Sequence, residues 1–104
     1  VNATTEFRRA GATTVPLQLA PRLDLPAASP LSEAIRARKG QALDLDAGNV
    51  AHLGGLCLQV LLAAAASWRA AGHRMRISPR SQAFEDAVAM FGLAPAQLES
   101  EGGA

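Results

Sequence analysis

Gly54-Gly55 opens a long apolar run, and Cys57 follows two residues later. A helix starting there would aim backbone N–H groups and its dipole at whatever sits in front of it, which suits an anion and lowers a thiol pKa. A nucleophilic Cys57 needs a base, and His52 and His73 are the two imidazoles of the chain. Among the carboxylates, alternation along a strand puts Asp44 and Asp46 on one face, where a pair could trade a proton or hold magnesium, with Asp24 a third candidate. Each feature also has a plainer reading. No Gly-x-Gly-x-x-Gly and no P-loop lysine accompany Gly54-Gly55, so a nucleotide cradle is not specified. One cysteine and two histidines share no ligand spacing, so no metal site is expected. Cys57 is read as a small buried hydrophobe and the aspartates as turn or surface residues. No catalytic residue and no cofactor is expected, and the chain is read as a non-enzyme.

Composition bounds what such residues could be attached to. A chain of 104 residues fits one domain. Ten Lys and Arg against nine Asp and Glu give a net charge of +1, without the basic excess of a nucleic-acid binder. Hydrophobic residues at 49% and charged residues at 18% are globular values, not those of a disordered chain. With one Trp, three Phe and no Tyr, the core must be built largely from aliphatic and alanine packing. A single cysteine excludes an internal disulfide and fits a reducing, cytoplasmic compartment. The stretch from Leu56 to Ala66, interrupted by Gln59, is too short to span a bilayer, and the polar start shows no secretory pattern.

Residues 1–12 lack periodicity and are expected to form a tail. Residues 14–19 alternate as a strand, which Pro16 confines to a sheet edge. Residues 21–26 form a short extended piece. Leu31 and Ile35 then mark the buried stripe of a helix over 27–39, with Ser29-Pro30 as its start signal and Gly40 as its stop. Arg36, Arg38 and Lys39 suit the end of its dipole. Residues 41–46 are a strand with Leu43 and Leu45 on one face, followed by a turn at Ala47-Gly48-Asn49. Residues 56–71 are the main helix, stopped by Gly72. Residues 74–77 are a strand with Met75 and Ile77 inward, and 78–81 a turn. Ser81 caps a last helix over 82–91, with Phe84, Ala87, Val88 and Phe91 on its apolar stripe and Gly92 as its stop. Residues 95–104 are expected to be a tail, leaving a domain over 13–94. Strand–helix alternation implies α/β, with a mainly parallel sheet of four strands and helices packed on it.

Helix 56–71 stands out. Cys57, Val60, Leu61, Ala64 and Trp68 make one stripe, and Leu58, Leu62, Ala65 and Ala66 cover much of the rest, so it lacks the polar face of a surface helix. Trp68 is either core or the end of a contact patch.

These residues resemble the STAS domain family. Arg22-Leu23-Asp24-Leu25 before a helix, Leu43-Asp44-Leu45-Asp46-Ala47-Gly48-Asn49-Val50, a small-residue turn into an apolar helix, and Phe91-Gly92-Leu93 near the end occur in the family's order over residues 15–93. The resemblance implies a four- or five-stranded sheet with helices on one side. It also implies a regulatory protein-interaction module akin to anti-sigma factor antagonists. The family's switch is a Ser or Thr in an Asp-Ser-Ser-Gly-like turn, which falls here on Gly54, Gly55, Leu56 and Cys57, with neither hydroxyl nor acid. Asp24 matches the acid that flanks the site in the family. Without a phosphate acceptor, constitutive docking is expected through Asp24, Asn49, Gly54, Gly55, Leu56, Cys57 and Gln59. The implied partners are an anti-sigma kinase, a histidine-kinase chemotaxis complex or an ABC-transporter subunit, and a homodimer is left open. No nucleic acid and no membrane insertion is expected. The competing reading is a sensor holding a nucleotide or lipid against Gly54-Gly55.

Overall fold

The computed structural model describes residues 15–102. The expected tail over 1–12 lies outside the described residues. The elements in chain order are β1 (Leu17–Gln18), β2 (Arg22–Leu23), α1 (Ala28–Arg36), β3 (Leu43–Ala47), β4 (His52–Leu53), α2 (Gly55–Ala71), β5 (Arg74–Arg80), α3 (Gln82–Met90) and β6 (Ser100–Glu101). The four-stranded sheet has the order β1-β3-β5-β6. β1, β3 and β5 are parallel, each joined to the next by a crossover through a helix, as parallel pairing requires. β6 returns antiparallel to β5. A separate parallel pair, β2 with β4, sets Arg22 opposite His52 and Leu23 opposite Leu53. The fold is α/β with a mostly parallel sheet and three helices, as expected.

Alternation decides which sheet face is covered. Leu43, Leu45, Met75 and Ile77 are buried in register, while Asp44, Asp46, Arg76 and Ser78 take the other face. α1 adds Leu31 and Ile35 to the core, α3 adds Phe84 and Val88, and α2 buries Cys57, Leu58, Leu61, Ala64, Ala65 and Trp68. α2 is therefore covered by its own domain along most of one side. Trp68 is core: it is 4% exposed, and its indole N–H donates to the Gln41 carbonyl at 2.7 Å.

Several local expectations need correction. α1 starts ahead of Ser29, because a 3-10 turn over Leu25–Ala27, with Pro26 in its first positions, already begins the helical rise. Ser29 therefore does not cap. β5 does not end at Ile77 but runs to Arg80, and its register with β3 shifts between Leu45 and Ala47. A bulge of this kind tolerates a proline that has no N–H to give, so Pro79 sits in a strand rather than a turn. Ser81 does cap α3, accepting from the Phe84 N–H at 3.0 Å, but Phe91 falls beyond the helix end and is 49% exposed, not core.

The expected tail over 95–104 is the largest correction. Pro95–Leu98 forms a 3-10 turn that buries Leu98 completely. Glu99 then takes the place of a strand partner, its carboxylate accepting the Ile77 N–H at 2.9 Å, while Arg80 lies 3.6 Å away. Its carbonyl accepts from Arg69 at 2.7 Å. Ser100 is buried and donates to the His73 carbonyl at 2.8 Å, beside the pairing of Arg74 with Glu101. A two-residue strand held by side chains leaves no periodicity to detect.

Candidate functional site

Gly54 is the N-cap of α2, in extended conformation, with no side chain to cap the helix. The position commonly filled by Ser, Thr, Asp or Asn is thus a glycine. The β2–β4 pair holds it in place: the Gly54 N–H donates to the Leu23 carbonyl at 2.8 Å, and the Ala51 and His52 N–H groups converge on the Pro21 carbonyl. A Cβ at Gly54 would lie 3.4 Å from that Leu23 oxygen and 3.6 Å from His52 Nε2. The Gly54 N–H is therefore used within the fold and is not among the donors this helix end offers.

Asp24 joins this turn from β2. Its carbonyl accepts the Cys57 thiol at 3.3 Å, and its carboxylate lies 3.4 Å from the exposed Arg22. Burial pushes the Cys57 thiol up from its ordinary pKa, and the Asp24 charge adds to the rise. Burial first, and then the Asp24 charge, set the direction of the shift. The protonated thiol donates to a carbonyl rather than to a base, and His73 follows Gly72 at the far end of the 17-residue α2, about 24 Å along the axis. No Cys–His pairing forms. The aspartate pair is occupied too: Asp44 is bidentate to Arg74 at 3.2 Å, and Asp46 accepts the Gly48 N–H at 2.8 Å to close the turn.

Of the seven expected docking residues, Asp24, Gly54, Gly55, Leu56 and Cys57 converge on this turn, and Gln59 is exposed at the start of the next. Cys57 is buried and can shape the surface only from beneath. Asn49 stands apart. Its turn is tied to the head of α3, where the Ser81 N–H donates to Ala47 and its hydroxyl to Val50. The tail of α3, by contrast, reaches Gly55: the Phe91 ring lies 3.6 Å from where a Gly55 Cβ would be.

Three residues of the surface escaped sequence reasoning. Leu25, Met90 and Phe91 are 72%, 84% and 49% exposed, as is Leu56, at 47%, in the first turn of α2. Leu25 follows Asp24, whereas Met90 and Phe91 line a shallow groove with His52, Gly54, Ala87 and Asp86. Helical periodicity assigned Phe91 to the core, and an isolated Leu or Met carries no signal that it will be left outside. A large aromatic just before a helix-stopping glycine is the one available hint.

Among the described residues, no helix is long and apolar enough to cross a membrane. No curated protein and no solved structure matches the chain significantly. The family model described as Mlab, STAS domain matches residues 6–98 of the 104. With a mostly parallel sheet, a small-residue turn at the head of its longest helix and that match over most of its length, the chain belongs to the STAS domain family.

Proposed function

We propose that this chain is a regulatory adaptor that docks another protein through the rim around Gly54–Cys57 and does so without a phosphorylation switch in that turn. STAS domains act generally as non-enzymatic regulatory modules working through protein–protein contact. The observation that carries the reading is the clustering of Leu25, Leu56, Met90 and Phe91 around one turn. Of the five large exposed hydrophobics among the described residues, Leu56 stands in the first turn of α2, Met90 and Phe91 line the groove beside Gly54, and Leu25 follows Asp24; the fifth is Val15. Scattered apolar side chains need no explanation, but a cluster with a polar edge (His52, Asp24, Asp86, Gln59) has the composition of a docking surface. The four positions 54–57 offer no hydroxyl, so binding is not gated by phosphate at that turn. The partner classes are an anti-sigma kinase, a histidine-kinase complex or a transporter subunit.

Affinity capture of the full chain from its native cell tests this. A stoichiometric protein partner is expected, retained in both low and high phosphate-buffer strength because the contact is apolar. Recovery of a bound nucleotide or lipid with no protein would support a ligand sensor instead.

A further inference from the structure

We propose that the groove between α1 and α2 is a second docking site, which takes an acidic helix of a partner protein. It lies farther along α2 than Leu56, and its floor is formed by Ile35, Val60, Ala64 and Trp68. α2 carries no charged side chain from Gly55 to Trp68, and its solvent side beside the groove offers Ala63, Ala66 and Ser67. A helix that faces water normally shows charges there. Residues this small also let a second helix approach closely, with its own side chains filling the space.

Charge selects the occupant. Arg36 and Lys39 line the groove on the α1 side, whereas Arg69, at the end of α2, is turned to the Glu99 carbonyl. No carboxylate lines it. Among the described residues all four ion pairs involve Arg22, Arg74 or Arg80, whereas Arg36 reaches only the Ser32 hydroxyl at 3.1 Å. The carboxylates sit mainly elsewhere, on the outer sheet face, on α3 and at the chain end. An apolar floor with a cationic wall matches an amphipathic helix that presents small apolar residues inward and Glu or Asp along one flank. A membrane surface fits less well, because insertion needs protruding Leu, Phe or Trp and this face offers alanines. A second copy fits less well too, since neither α1 nor α2 has an acidic flank and the carboxylates of α3 are engaged within the chain, Glu85 by Arg80 and Asp86 by Gln82.

A photo-crosslinking benzoylphenylalanine at Ala63, and separately at Ser67, tests the site in the full chain in its native cell. Both positions are exposed, so the fold is retained, as circular dichroism would show. The expected adduct is a segment of another protein, identified by mass spectrometry, with helical periodicity and net negative charge. Its yield should fall about tenfold or more in Arg36→Glu/Lys39→Glu, and by a smaller factor in Arg36→Ala/Lys39→Ala. An adduct on lipid, on a second copy, on this chain itself or on a segment without acidic excess overturns the proposal. So does the absence of any adduct at both positions, or a yield indifferent to charge reversal.

Discussion

Trp68→Ala is expected to lower the unfolding free energy by about 3–5 kcal/mol, the range for truncating a large buried aromatic. The ring is enclosed between α2 and the chain before β3, and the loss also strands the Gln41 carbonyl it serves. Domains of this size hold only about 5–15 kcal/mol in total, so urea titration should show a midpoint shifted far toward zero. Trp68→Phe separates the two contributions: it keeps most of the volume and should cost only about 1–2 kcal/mol, mainly from the unpaired carbonyl. A Trp68→Ala protein as stable as wild type would return this residue to the surface.

Leu98→Ala should cost about 2–5 kcal/mol, a core-sized loss from a residue that sequence patterning placed in a tail. A chain ending at Ala94 should lose at least as much, because it also removes the Glu99 carboxylate from the Ile77 N–H and from Arg80, and the β6 pairing from β5. Thermal unfolding of both variants against a chain lacking only Gly103 and Ala104 provides the comparison. If ending at Ala94 left the melting temperature unchanged, residues 95–102 would contribute nothing to the fold.

These two residues show where sequence was legible and where it was not. Leu43 and Leu45, then Met75 and Ile77, alternate strictly, so both central strands and their buried face follow from period-two patterning alone. Gly72 and Gly92 each stop a helix where expected, and both have positive φ, which only glycine adopts at little cost, whereas α1 ends at Arg36 with Ala37 as its cap, ahead of Lys39 and of Gly40. Leu98 and Ser100, in contrast, are buried by contacts whose partners lie twenty or more residues away, and a segment that short has no period to reveal them. The docking surface divides in the same way. Its proposed centre, Gly54 to Leu56, is contiguous in the chain and so could be nominated from sequence. Its walls come from Leu25 and from Met90 and Phe91, and only the packing of α3 against β4 brings Phe91 onto Gly55.

Arg80, expected on the 78–81 turn, ends β5, is bound to Glu85 at 3.1 Å and lies 3.6 Å from Glu99, so reversing its charge would disturb the fold. Arg76, exposed on the outer sheet face, is the sound comparison site.

The central claim, that the Gly54–Cys57 rim is the docking surface, is tested most directly by the affinity of Leu56→Glu for the protein captured by the wild-type chain. Leu56 is 47% exposed and sits in the first turn of α2, where a carboxylate is favoured by the helix dipole, so the substitution should leave the fold intact by circular dichroism. Burying that carboxylate against an apolar partner surface costs a few kcal/mol, and about 1.4 kcal/mol already means tenfold. Leu56→Glu should bind at least tenfold more weakly, with Arg76→Glu binding as wild type. Wild-type affinity in Leu56→Glu together with a loss in Arg76→Glu would contradict the claim and move the docking surface to the outer face of the sheet.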